Sequence, residues 1–282
     1  MPSRTAYVPN LIGIVIDDRY AMMSKMGAGS YGVVYKAIDS DCEGDDETRT
    51  RAVKVVAKAG RKPAYVHALR REMDLHSRVS AHPNIITLHE TFELPDFAVF
   101  VMDASSRGDL ESWISSSERP CADERVLRTI FTELLDAVAF MHGHGVYHRD
   151  IKPANVLIDT DPLHVYLADF GLATEDEQYT RRVGTQSYMP PECVTATAFE
   201  VPESASAAAS DVWALAIVFL NVLTGRVLWW RAMREHTAYT QFRARPAAFL
   251  LDMLPIDPTL AAVLAGMLAE DPRERVSAAA AR

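Results

Sequence analysis

Two hydrophobic rhythms divide the chain. Over the first hundred residues, apolar positions come in short runs, which read as strands at Tyr20 to Met26, Val33 to Asp39, Arg51 to Ala57 and Phe97 to Met102. One helical stretch, Tyr65 to Val79, interrupts them, and the turn His82 to Ile85 leads into a further strand. Beyond Asp103 the rhythm becomes helical. Val126, Leu127, Ile130, Phe131, Leu134, Leu135 and Val138 mark one face of a helix over Asp123 to His142. Val165 to Ala168 is a short apolar strand. Val212 to Leu223 is apolar on every side, as in a buried helix, and is too short to cross a bilayer. Asp39 to Thr50 and Glu200 to Ala209 are small and polar, as in solvated loops. The fold class expected is α+β, with an N-terminal extension over 1–19, a strand-rich part over 20–103 and a mainly helical part over 104–282.

Polar residues break these rhythms where chemistry can use them. Between the first two strands lies GAGSYG, with Gly27, Gly29 and Gly32 around Ala28 and Ser30. Glycines allow a tight reversal and let backbone N–H groups approach an anion. A strand–loop–helix nucleotide site uses the same spacing. Here the strand GVVYKAI follows, which leaves a hairpin over phosphates or an ordinary Gly-rich hairpin. Lys54 stands in the apolar run RAVKVVA. A lone Lys in such a strand usually snorkels to water. Glu72, in the following helix, reads by itself as part of a charged face with Arg70 and Arg71.

The densest polar string is HRDIKPAN, His148 to Asn155, followed by Asp169-Phe170-Gly171. Phosphoryl transfer needs a carboxylate at the attacking hydroxyl, a cation among the phosphates and oxygen ligands for magnesium. Asp150, Lys152, Asn155 and Asp169 supply those groups.

The order of Gly-rich loop, Lys54, Glu72, HRDxKxxN and DFG resembles the eukaryotic protein kinase family, and the resemblance covers Tyr20 to Val276. It implies a two-lobed protein kinase fold, with a small β-rich N-lobe holding one key helix and a larger helical C-lobe. It implies ATP and Mg²⁺ as cofactors and a protein Ser or Thr hydroxyl as acceptor. In its terms Lys54 meets phosphates and pairs with Glu72. Val34, Ala52, Met102 and Leu157 line the nucleotide pocket, and Asp103 to Ser105 offer hinge backbone. Asp109 reaches the ribose or caps the helix beginning beside it. Asn155 and Asp169 hold magnesium, Asp150 orients the hydroxyl, and Lys152 offsets charge.

The activation segment, Leu172 to Glu192, ends in PPE where the family most often has APE. Glu192 is expected to pair with Arg275, and Asp211 to bond the backbone of the catalytic loop. Arg149 is the expected clamp for a phosphate on Thr180, and Tyr179 is a second candidate for modification, although Arg181 lies closer to the usual phosphorylated position. Lys152 and the step Gly184-Thr185 are similar to the serine/threonine type. LNVLTGR, GTQSYMPPEC and FLLDMLPI look like a fungal group of meiosis-inhibiting and nutrient-response kinases. The alternative is an inactive pseudokinase scaffold, but Lys54, Asp150 and Asp169 are all kept. Trp229 and Trp230 read as packing residues.

Composition narrows the partners. A net charge of -9 argues against nucleic acid or anionic membrane as the main partner. Three widely spaced cysteines, Cys42, Cys121 and Cys193, suggest a reducing compartment. The N-terminus has no apolar run suited to a signal peptide. A monomer in cytoplasm or nucleus is the expectation. The ending AAAAR leaves open whether the full-length chain continues past Arg282.

Overall fold

The computed structural model describes residues 7–29, 32–105, 108–116, 123–160, 163–178, 182–194 and 205–282. The chain divides into two units, one of residues 1–81 and 86–106 and one of residues 82–85 and 107–282.

The first unit is built on an antiparallel sheet in the order β1-β2-β3-β4-β6-β5. Its strands are β1 (Val15–Ile16), β2 (Tyr20–Gly29), β3 (Gly32–Asp39), β4 (Thr50–Ala57), β5 (Leu88–Glu93) and β6 (Phe97–Asp103). Alternation along β4 explains how the sheet is covered. Val53, Val55 and Ala57 join a buried cluster with Tyr20, Met22, Tyr35 and Val99. Val56 falls on the other side, in a cluster with Leu69 of α1 (Pro63–Val79) and with Phe100. Lys54 has the same parity as Val56, so it shares the face that α1 covers.

The stretch before Tyr20 is part of this unit. Val8 and Ile16 lie in the first cluster. Tyr35 Oη donates to Pro9 O at 3.0 Å. Gly13 N donates to Met22 O at 2.8 Å, and Met22 N to Ile14 O at 2.9 Å. A two-residue strand such as β1 carries too short a pattern to be read from sequence.

The second unit is mainly helical. It contains α2 (Leu110–Ser115), α3 (Glu124–Gly143), α4 (Pro191–Val194), α5 (Ala207–Thr224), α6 (Thr237–Ala244), α7 (Pro246–Met253) and α8 (Pro258–Met267), with one hairpin of β7 (Val156–Thr160) and β8 (Leu163–Leu167). Helix α5 begins where Ser206 Oγ accepts from Ala209 N at 3.2 Å, and stops at Gly225 with φ 72°. It extends beyond the apolar core read from sequence. Its 18 residues are long and apolar enough to cross a membrane, so length does not exclude a span. Burial decides: 78% of it lies inside the fold, as in a core helix. Trp229 packs with Trp213, Tyr239 and Phe242. Trp230 is 64% exposed, so the packing expectation fails for that tryptophan. Its neighbour occupies the inward position.

Candidate active site

In the first unit, strands β2 and β3 flank the glycine loop on both sides, with Gly29 opposite Gly32. The loop is therefore a hairpin and not a strand-to-helix turn. Gly27 and Gly29 have open space where a side chain would stand. Gly32 has φ 135°, and a Cβ there would overlap Val55 O. Gly32 is thus required by packing. Ala28 is exposed, and Ser30 lies outside the described residues.

Strand register assembles the next group. Val34 stands opposite Lys54, which stands opposite Phe100. Ala52 stands opposite Met102, and Arg51 opposite Asp103. Lys54 Nζ donates to Glu72 Oε1 at 2.7 Å and sits 5.4 Å from the centre of the Phe100 ring. Both members of the pair are buried. A buried ion pair on an apolar face is weak evidence for stability, because desolvation offsets most of the attraction. It fixes the position of the ammonium group instead. Asp103 N donates to Thr87 O at 3.1 Å, and its carboxylate lies 2.5 Å from His89 Nε2. Burial raises the Asp103 pKa, but hydrogen bonds from His89 and Thr87 outweigh it and leave it lowered. Ser105 lies two residues further on.

In the second unit the polar string folds around Asp211, which is fully buried in α5. Its carboxylate accepts from His148 N at 2.8 Å and Arg149 N at 2.7 Å, and lies 3.0 Å from His142 Nε2. His148 Nε2 reaches Ala168 O at 3.0 Å, and its ring packs 5.0 Å from that of Phe170. Arg149 Nε donates to Leu172 O at 2.8 Å. These bonds hold the two motifs to each other. They also hold an unfavourable backbone: Arg149 has φ 64° and Asp169 φ 62°. Left-handed non-glycine residues cost about 1–3 kcal/mol each and persist where surroundings over-determine them.

Asp150 is held from several directions. Thr185 Oγ1 donates to its Oδ1 at 2.8 Å, and Lys152 Nζ to its Oδ2 at 2.7 Å. Lys152 Nζ also reaches Thr185 Oγ1 at 3.1 Å. Asn155 Nδ2 donates to Asp150 O at 2.9 Å and approaches Oδ2 at 3.3 Å. The segment carrying Thr185 comes this close because residue 184 is glycine. Gly184 has φ 102°, and a Cβ there would overlap Arg149 O. Sequence reading did not single out that approach. The apposition of a GT step and a catalytic loop is not visible locally.

Leu157 stands opposite Tyr166 in the hairpin and bridges Asp109. Asp109 Oδ1 accepts from Ser112 N at 2.7 Å as the N-cap of α2, which is the capping reading of that residue. Asn84, read only as part of a turn, is buried, and its Nδ2 donates to Val165 O at 3.1 Å. Thr180, Tyr179 and Arg181 lie outside the described residues. Glu192 meets Arg275 through two hydrogen bonds, at 2.9 and 3.2 Å. Arg275 also donates to Ala209 O and Ala269 O at 2.9 Å, and its guanidinium lies over the Trp213 ring at 5.1 Å.

Comparison with known proteins matches the protein kinase domain over residues 20–282. The chain belongs to the protein kinase domain family. A fission yeast (Schizosaccharomyces pombe) "negative regulator of sexual conjugation and meiosis" is 36% identical over 285 residues, which is 95% of this chain and 59% of that protein. The Saccharomyces cerevisiae serine/threonine-protein kinase VHS1 is 26% identical, over 92% of this chain and 68% of that one. The mouse (Mus musculus) NUAK family SNF1-like kinase 1 is 34% identical, over 74% of this chain and 30% of that one. This kinase domain thus spans a little under three fifths of the fission yeast relative.

Protein kinases as a family use ATP and magnesium. The donors in this kinase domain fit a hard cation. Ala168 N donates to Asn155 O at 2.9 Å, so the chain pairing of the hairpin sets residue 169 beside residue 155. Asn155 uses its Nδ2 to hold Asp150, and its amide oxygen is the atom outside that clamp. Among the described residues no group of three or more His, Cys, Asp or Glu side chains forms a self-sufficient metal site. Magnesium does not require one, because it takes one or two protein oxygens and completes its shell with phosphates and water.

Proposed function

We propose that this protein kinase domain transfers the γ-phosphoryl group of Mg-ATP to serine or threonine hydroxyls of protein substrates. One observation carries the reading. The Asp150 carboxylate is bracketed by the Lys152 ammonium and the Thr185 hydroxyl, on a loop tied down by buried Asp211. A carboxylate held in this way can meet an incoming hydroxyl without reorganising. The acceptor oxygen bonds to the γ-phosphorus as the bond to the β-phosphate oxygen breaks. That electron pair leaves with ADP, and the hydroxyl proton passes to Asp150. Lys152 offsets charge growing on the phosphoryl oxygens. Asn155 and Asp169 would hold Mg²⁺, which when bound neutralises phosphate charge. In the first unit, the glycine hairpin and the Glu72-positioned Lys54 serve the phosphates.

We place the protein inside the cell, in cytoplasm, nucleus or both, as a monomer. Three cysteines far apart in the sequence and odd in number suit a reducing compartment, and a fluorescent fusion tests the location.

The reading is tested with radiolabelled ATP, magnesium and a peptide array. Label on Ser and Thr peptides, abolished by a metal chelator, is the expected result. Nucleotide binding without any label would leave an inactive scaffold, and label on Tyr alone would overturn the acceptor class.

A further inference from the structure

The first unit carries a concave surface that reaches beyond the residues the transfer reading uses. A cavity of about 510 Å³ opens beside the glycine hairpin, within the size range of ligand pockets. Its walls include Tyr7, Ile12, Tyr35 and Tyr65, with Lys25 and Arg61 among them. Ala28, Gly29 and Gly32 of the glycine hairpin line one side of it, whereas Lys54, Ala52 and Met102 do not.

Two features give this surface a chemistry. The first is apolar exposure. Of the nine large hydrophobic side chains exposed among the described residues, six lie between residues 7 and 26 (Tyr7, Ile12, Ile14, Val15, Met23 and Met26), and two of these, Tyr7 and Ile12, line the cavity. Single exposed apolar residues are ordinary, but two of them on the wall of one cavity give it an apolar lining. The second feature is charge. The chain carries a net charge of -9, yet no Asp or Glu is among the described residues lining the cavity. Lys25 and Arg61 make no ion pair among the described residues, whereas nearby Lys58 is held by Glu93. Arg61 instead lies over the Tyr65 ring at 4.8 Å.

We propose that this surface docks a partner protein through an acidic peptide segment with bulky apolar side chains. Its apolar groups would fill the cavity and its carboxylates would meet Lys25 and Arg61. The chain itself offers poorer occupants. Residues 1–6 read MPSRTA, whose one charged side chain, Arg4, is basic. The acidic run Asp41 to Glu47 reads DCEGDDE and has no bulky apolar residue to insert, so a second copy does not supply the match through it.

The test titrates the full chain, without nucleotide, into the labelled peptide Asp-Glu-Phe-Asp-Trp-Glu and follows fluorescence anisotropy. Saturable binding is expected, weakened about tenfold or more by Lys25→Glu with Arg61→Glu, and weakened by added salt. The peptide with Lys for its acids, and the one with Ala for its aromatics, are expected not to bind. Circular dichroism checks folding, and Lys25→Ala with Arg61→Ala carries the same comparison if the reversals unfold the chain. Equal affinity of wild type and both variants overturns the proposal. So does a rise in peptide affinity on deleting residues 1–6, which would make the chain's own N-terminus the occupant. So does a solution dimer that dissociates on Ile12→Asp, which would make it a second copy. Because nucleotide is absent, failure here is separable from failure of the transfer reading.

Discussion

Glu93 sits between two cations: Arg70 Nε donates to it at 2.6 Å and Lys58 Nζ at 2.7 Å. Those hydrogen bonds, from Arg70 first and then Lys58, hold its carboxyl at about 2, down from 4.5. A carboxyl depressed by folding stabilises the fold above its unfolded pKa and loses that contribution as pH falls through the folded value. Glu93→Gln is therefore less stable than wild type at neutral pH, and the gap closes between about pH 4.5 and pH 2. Urea midpoints across that range check this, and a gap that stayed constant would contradict it. Arg275 is a different kind of residue. Its side chain is fully buried against Glu192, whereas Arg128 and Glu124 form an ion pair that is 77% and 84% exposed. Removing one partner of a buried pair costs about 3–5 kcal/mol, and an exposed pair contributes about 0–1 kcal/mol. Thermal denaturation is expected to show a large loss for Arg275→Ala and little change for Arg128→Ala. Equal losses would mean that burial does not set the value of these pairs.

At the scale of elements, contacts between distant segments matter more than any one segment. The catalytic loop and the segment carrying Thr185 meet only because Gly184 lacks a Cβ. Gly184→Ala forces the backbone away from Arg149 O and disturbs the hydroxyl that fixes Asp150. Displacements near 1 Å can cost about 100-fold in rate. A fall in kcat of that order, with nucleotide affinity preserved, is the expected steady-state result, and an unchanged kcat would contradict it. These contacts also mark how far sequence carries. Helix α3 was legible because its apolar repeat runs over its whole length, and the strands were legible because glycine and polar residues bound them. The pairing of Lys54 with Glu72 followed from the resemblance to the protein kinase family, since the residue pattern by itself left a snorkelling lysine and a glutamate on a charged helix face. The Gly184 approach, the buried Asn84 bond and the exposure of Trp230 were not legible. Each depends on what a remote segment places alongside.

At the scale of the whole molecule, the change in hydrophobic rhythm near Asp103 corresponds to a division into a sheet-based unit and a helical one. Each unit fixes its polar groups by burial. Glu72 positions Lys54 in the first, and Asp211 positions the HRD loop in the second. The measurement that bears most directly on the account is single-turnover phosphoryl transfer by Asp150→Asn beside wild type, with nucleotide affinity measured on the same samples. Asn keeps the shape of Asp and accepts no proton. The account predicts near-normal nucleotide binding and a transfer rate lower by about 100-fold or more. Transfer at the wild-type rate would contradict it.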